Sequence, residues 1–355
     1  DYYYTRNSYI LTVKPNGSTW NGSTQNRSYT LRYEEEMNIP NPSRVGYIFK
    51  KWIMTPTDKG SSLTDKNNTS KTFKMGYANT ALTVTMGKGE NDESWEPIKY
   101  TVTYNRNTPT GSLSTEGGET LDSHHIYDVS SKLSENGFTL AGYTFAGWKW
   151  NNKVYGDSSN KGAIEVINLT DVNGSTITMY AQWTPVDNVQ YVVNHWKQKL
   201  YYDCTKDYTD SSVHDEANYS LSDTETRTGV ADERVTPEVN QYIGFTSPSE
   251  IEVKIKGDGS TVVNYYYTRN EYDVGEDDGN GGLRLICGTG IESTSGAGRY
   301  KYGETVSIDA EVQDGYTWYQ WTGTMQAAKK DYMFYMPAYN VTLTANATPD
   351  KYKIY

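Results

Sequence analysis

Tyr265-Tyr266-Tyr267-Thr268-Arg269-Asn270 repeats, letter for letter, the string Tyr2-Tyr3-Tyr4-Thr5-Arg6-Asn7. A tyrosine-dense hexapeptide does not recur by chance in a chain of 355 residues. The chain passes one structural landmark twice, so tandem repetition is the first constraint on its fold. The second copy closes the run Gly259-Ser260-Thr261-Val262-Val263-Asn264-Tyr265-Tyr266-Tyr267, which reads as a closing strand. Residues 1–7 are then expected to be the last strand of a preceding module of the same type.

A second pattern marks the modules. Gly46-Tyr47-Ile48-Phe49-Lys50-Lys51-Trp52 has the form Gly-Tyr-x-Phe-x-x-Trp, and Gly142-Tyr143-Thr144-Phe145-Ala146-Gly147-Trp148 repeats it. Gly315-Tyr316-Thr317-Trp318-Tyr319-Gln320-Trp321 is a third copy with Trp for Phe. Glycine at the start permits a positive φ or a close approach. The next aromatics share a face by period two, and each final tryptophan falls one residue out of phase, which predicts a bulge or a twist. Tyr47, Phe49, Trp52, Tyr143, Phe145, Trp148, Tyr316, Trp318 and Trp321 are therefore expected in module cores. A carbohydrate-stacking platform is the alternative use of such aromatics.

Strands flank each motif. Tyr9, Leu11 and Val13, and again Tyr100, Val102 and Tyr104, alternate with polar residues as half-buried strands do. Met75-Gly76-Tyr77-Ala78-Asn79 and Met336-Pro337-Ala338-Tyr339-Asn340 are alike and relate the first module to the fourth. The expected modules are 8–96, 97–184, 185–273 and 274–349, with residues 350–355 opening a further one. Each should be sheet-dominated, with at most one short helix. Gly87-Lys88-Gly89-Glu90-Asn91-Asp92-Glu93-Ser94 reads as a loose boundary. Residues 275–282, rich in glycine and acid, read as the main flexible hinge. The junctions at Thr184-Pro185 and Arg269-Asn270 should be stiffer.

Composition agrees with small modules. Thirty-three tyrosines and nine tryptophans stand against six phenylalanines, and only 35% of residues are hydrophobic. Several small aromatic cores fit this better than one large one. A net charge of −11 argues against nucleic acid and anionic membranes as partners. No window is apolar over the ~18 residues that a membrane span requires. Cys204 and Cys287 do not make a disulfide framework and read as unpaired thiols.

The residues now resemble known families. The first two modules resemble the Listeria–Bacteroides, or internalin B-type, repeat. The resemblance rests on Pro15-Asn16-Gly17 with Trp20, Ile39-Pro40-Asn41-Pro42-Ser43-Arg44-Val45-Gly46-Tyr47, and the second motif with Met179-Tyr180-Ala181-Gln182-Trp183. The first module departs at its end, where Val84-Thr85-Met86 stands in place of an Ala-x-Trp close. Residues 186–273 are similar to mucin-binding-protein (MucBP) repeats through Val193-Asn194-His195-Trp196, Gly244-Phe245 and the tyrosine ending. The last module looks like the divergent internalin B-type repeat through Gly298, Tyr300, Gly303-Glu304-Thr305-Val306 and Met336 to Leu343.

The resemblance implies a mainly-β fold: tandem small β-grasp, ubiquitin-like modules in an elongated array. It also implies an extracellular, cell-surface or cell-wall context in bacteria, where such repeats serve as stalks or adhesive modules without enzymatic activity. The lack of disulfides in such a chain points to a Gram-positive surface.

The search for chemistry is short. His124 and His125 are adjacent, so on a strand they cannot face one site, and no zinc spacing occurs. No nucleophile elbow, phosphate loop or cofactor loop is present. No catalytic residue, metal site or cofactor is expected. Residues 276–281 carry calcium-like oxygen ligands without the distal glutamate of an EF-hand, and solvated linker is the plainer reading. Ten Asn-x-Ser/Thr sequons, Asn173 and Asn340 among them, reflect composition. The expected function is a non-enzymatic stalk or adhesin segment. The alternatives are a self-assembling filament subunit and a module that binds host glycan or protein, so expected partners are host molecules or copies of the chain itself.

Overall fold

The computed structural model describes residues 1–201 and 214–351. Cys204 lies outside the described residues, as do residues 352–355 of the expected opening strand at 350–355. Every regular element among the described residues is a strand, so the short helix allowed for each module does not occur there. The chain forms two compact units, Asp1–Pro185 and Val186–Tyr355.

The first unit opens with a sheet ordered Arg27–Arg32, Ser8–Lys14, Thr80–Thr83, Ile53–Thr55. Its central pair is parallel, with Leu11 opposite Thr80. A parallel pair needs a crossover connection, usually helical. Here a second sheet covers the first, ordered Glu36–Pro40, Ser70–Lys74, Ser62–Asn67. Ile39 and Phe73 from that cover meet Leu11, Val13, Leu82, Trp20 and Trp52 in one core.

Next comes a sheet ordered Ser123–Ile126, Lys99–Asn105, Thr176–Pro185, Tyr143–Trp150, Lys153–Tyr155. Its central pair is again parallel, Val102 opposite Ile177. The order is that of a β-grasp sheet, with the first and last strands parallel at the centre, but two short strand pairs replace the helix. Its core gathers Tyr100, Val102, Phe145, Trp148, Ile177 and Met179.

The second unit repeats the plan. Its first sheet is ordered Tyr219–Gly229, Val189–Gln198, Val262–Arg269, Phe245–Thr246, with Val192 parallel to Val262. Tyr265 and Tyr267 of the repeated hexapeptide lie in the fully buried layer. The last sheets set Leu343–Pro349 between Ile286–Cys287, parallel, and Tyr316–Gly323, antiparallel. Ile291–Ser295, Thr305–Val312 and Tyr332–Tyr335 form the facing layer.

The two stretches read from sequence as loose, 87–94 and 275–282, are both tied down. Glu271–Val274 pairs with Gly298–Lys301, so this strand crosses the expected boundary at 273/274 and joins the last module, and Glu276–Asp277 pairs with Leu283–Arg284 as a hairpin. At the hairpin tip, Asp277 accepts from the Gly279 amide at 2.7 Å, and Asp278 accepts from the Asn280 and Gly282 amides at 2.8 and 2.9 Å. These two amides hold the Asp278 carboxyl below the usual range. The expected hinge over 275–282 is thus a turn-capped hairpin. Counting its charges as mutually repelling missed that short acidic side chains also satisfy local backbone donors.

The loop between Thr83 and Trp95 is organised the same way. The Asp92 carboxylate accepts from Gly87, Ser94 and Trp95 amides at 2.6, 2.9 and 3.0 Å and from the Thr85 hydroxyl. This loop accounts for the missing Ala-x-Trp close. Trp95 sits opposite Phe49, as Trp183 sits opposite Phe145. The ring pairs match, at 5.4 and 5.9 Å. The closing tryptophan is present, delivered after an excursion.

Candidate functional site

The repeated aromatic motif supplies core. Trp52, Trp148 and Trp321 are buried, with Tyr47 and Phe145. Phe49 and Trp318 are half-buried and pack against their cores, whereas Tyr143 and Tyr316, expected there too, are half-buried at the strand entry and outside the core clusters. The out-of-phase tryptophan has the physical origin its spacing implied. The register shifts between Phe145 and Gly147 and again between Trp318 and Gln320, a bulge that turns the next tryptophan inward. In the first copy the strand instead breaks between Tyr47–Phe49 and Ile53–Thr55. The Trp148 and Trp321 indole N–H groups donate to the Ser134 and Lys330 carbonyls. These rings are anchored inside, so a stacking platform on them is not available.

The glycine ahead of the first motif, and Gly244 ahead of Phe245, do something the sequence did not show. Gly46 has φ +77°, and a Cβ there would stand 2.2 Å from Tyr127. Gly244 has φ +78°, and a Cβ there would stand 2.2 Å from Tyr302. In each case the tyrosine comes from the module that follows. The aromatic after each glycine meets the same tyrosine edge-on: Tyr47 and Tyr127 at 5.8 Å and 74°, Phe245 and Tyr302 at 6.0 Å and 77°.

The backbone repeats with the rings. Ile98 donates its amide to the Gly46 carbonyl at 3.0 Å, and Tyr127 donates to the Ile98 carbonyl at 3.0 Å. Asn270 donates to Gly244 at 3.0 Å, and Tyr302 donates to Asn270 at 2.9 Å. One linking residue thus passes a hydrogen bond from one module to the next. Each tyrosine rides a tight turn: Val129 donates to Ile126 and Glu304 to Lys301. The turn needs a left-handed residue after the tyrosine, Asp128 at φ +59° and Gly303 at +79°.

Side chains reinforce each junction differently. At the first, the Tyr47 hydroxyl donates to Asp128 at 2.8 Å, while Asn168 donates to the other carboxylate oxygen at 2.8 Å. Burial raises the Asp128 carboxyl, but the Asn168 and Tyr47 donors outweigh it and hold it low. Burial, then the bond to Asp128, pushes the Tyr47 phenol up to about 12. At the second, Arg269 donates to the Tyr302 carbonyl at 2.7 Å and lies 4.8 Å over the Phe245 ring.

Two further features were invisible in sequence. The side-chain oxygens of Asn79, Asn173 and Asn340 accept from the amides of Ile10, Lys99 and Asp273 at 2.8, 3.1 and 3.0 Å. One asparagine clips the first strand in three modules, which gives two of the sequon asparagines a structural use. In the other module His195 is fully buried, within 2.8 Å of the Tyr267 hydroxyl and 3.2 Å of Glu225. Tyr267 also accepts from the Asn240 amide, and burial pushes its phenol up to about 12. This acid–histidine–tyrosine chain resembles a proton relay. Yet His195 and Tyr267 have no exposed surface with which to touch a substrate.

The adjacent histidines separate as alternation requires. His125 is buried between Ser123 and Ser131, and His124 faces outward. Among the described residues no group of three or more His, Cys, Asp and Glu could hold a metal ion. Among them, no helix is long and apolar enough to cross a membrane.

Residues 288–351 match the family described as the divergent InlB B-repeat domain. An internalin B-type repeat is therefore present in the last module. No curated protein matches the chain. Among solved structures, the Bacillus anthracis TIE protein is 10% identical over 98% of this chain and 76% of that one, with a TM-score of 0.23. A streptococcal ancillary pilin is 9% identical over 70% of this chain and 99% of that one, with a TM-score of 0.15. At such scores neither likeness bears on fold or function.

Proposed function

We propose that the chain is a non-enzymatic structural and adhesive segment of a bacterial cell-surface protein. Its modules are the four β units, related over 8–184 to internalin B-type repeats and over 186–273 to MucBP repeats. The observation that carries this reading is the junction. The same tyrosine-on-glycine contact and the same two-step hydrogen-bond relay join consecutive modules in both units. A chain that only needed separate domains would not rebuild one connection twice to within fractions of an ångström. Fixing module to module suits a stalk, which transmits force and sets reach. The B-repeat at 288–351 supports the surface location.

Adhesion would come from exposed module faces, with host glycan or protein, or copies of the chain, as partners. Two experiments test the proposal. Protease treatment of intact cells that produce the protein should release peptides from this segment, and complete protection would refute a surface location. A glycan and matrix-protein array probed with the whole chain tests adhesion, and no signal on any array would leave the stalk role alone standing.

A further inference from the structure

One side of the junction recurs a third time, at residues 6–35. Asn7 and Arg6 correspond to Asn270 and Arg269 in the repeated hexapeptide. The Tyr33 amide donates to the Asn7 carbonyl at 2.8 Å, as Tyr302 does to Asn270. Arg6 reaches the Tyr33 carbonyl at 3.4 Å, as Arg269 reaches that of Tyr302. The turn also recurs: Glu35 donates to the Arg32 carbonyl, Glu34 is left-handed at φ +67°, and the Arg32 amide donates to the Glu35 carboxylate. The latch is complete on this side.

The tyrosines ahead of the latch repeat a run that is buried in the third sheet. Tyr2, Tyr3 and Tyr4 are 93, 91 and 92% exposed, whereas their counterparts Tyr265 and Tyr267 are 0% exposed. The Tyr265 hydroxyl donates to the Pro237 carbonyl, and the Tyr267 hydroxyl meets His195. Tyr266 stacks on His214 at 4.0 Å. By the identity of the hexapeptides, Tyr2, Tyr3 and Tyr4 each have a place in a sheet built like the third one.

We propose that residues 2–7 and Tyr33 form a docking surface for a further β module built like residues 186–270. Residues 2–7 become its last strand, parallel to its first, with Tyr2 and Tyr4 in its core. Tyr33 closes over the glycine that opens its short Gly-aromatic strand. The occupant needs a histidine where His195 stands and a glycine where Gly244 stands, since those groups receive the hexapeptide's second inward hydroxyl and the following module's ring. This identifies a partner for the stalk reading and rests on it only for biological setting.

The test places a copy of residues 186–264 directly ahead of Tyr2 in the full chain and follows amide hydrogen exchange. The surface predicts that amides of residues 2–7, fast in the original chain, slow by ~100-fold or more in the extended one. It also predicts that Tyr33→Ala in the extended chain speeds exchange of the Asn7 linker amide while the added sheet remains protected. Unchanged fast exchange at residues 2–7 overturns the proposal, whether the added copy folds by another route or stays unfolded. Surface protease release on cells is independent of this result, so the docking surface and the surface role fail separately.

Discussion

Substituting Gly46→Ala probes the junction most directly. Alanine must adopt φ near +77°, and its Cβ would sit 2.2 Å from the Tyr127 ring. The left-handed backbone costs ~1–2 kcal/mol in a non-glycine residue. Displacing Tyr127 forfeits its edge contact with Tyr47, worth ~0.5–1.5 kcal/mol. If the turn moves with the ring, the Tyr47 to Asp128 bond goes too, ~1.5–3 kcal/mol for a charged acceptor. Together these come to roughly 3–6.5 kcal/mol. In a Tyr127→Ala background the clash is absent, and only the backbone cost of ~1–2 kcal/mol remains. Native-state amide exchange at Ile98 and Tyr127, the two relay donors, reads both cycles in the full chain without assuming one global transition. A coupling of ~2 kcal/mol corresponds to about a 30-fold difference in exchange between the backgrounds. If Gly46→Ala accelerates exchange equally with and without the Tyr127 ring, the ring-on-glycine contact does not hold the junction.

Trp148→Ala should cost its module ~3–5 kcal/mol and make 97–184 the first region cut in limited proteolysis; an unchanged digestion pattern would contradict a core role. Asn173→Ala removes the clip on Lys99 and should destabilise by ~1 kcal/mol, read as faster exchange of the Lys99 amide; unaltered exchange would mean the clip is dispensable. His125 is held below its ordinary value of 6.5 by burial and then by the charge of neighbouring His124. Its folded-state value is depressed, so its contribution is present above pH 6.5 and is lost as pH falls through the folded value. The 97–184 module should therefore weaken below about pH 6.5, and His125→Gln should flatten that dependence; an identical pH profile would exclude His125 as its source. Asp92 is also depressed: burial raises it, but bonds from Thr85, Ser94, Gly87 and Trp95 outweigh that. Its contribution is present above pH 3.8 and lost as pH falls further, so Asp92→Ala should expose the 84–94 loop to protease at neutral pH, and a resistant loop would show that the carboxylate does not hold it.

The sequence by itself determined the repeat logic and the strand content. A duplicated hexapeptide and a thrice-used Gly-aromatic-x-aromatic-x-x-Trp pattern are local, periodic signals, and strand burial follows period two without help from the rest of the chain. Leu11, Val13, Tyr100 and Val102 face inward because alternation leaves them no other side, and the out-of-phase Trp148 and Trp321 required the bulges that were found. What only the tertiary structure decided is where polar groups find partners far along the chain. Asp278 and Asp92 look like solvated charges in a string of acids and glycines, and they become turn caps once backbone amides converge on them. Asn173 is a sequon by composition and a clip by geometry. Trp95 could not be recognised as the displaced closing tryptophan until it appeared opposite Phe49. The glycine of the first motif was legible as conformational freedom, but its second purpose, shared with Gly244, was not. Gly46 and Tyr127 are 81 residues apart, and Gly244 and Tyr302 are 58 apart. A missing Cβ records only that something must come close, and the fold of the next module decides what does.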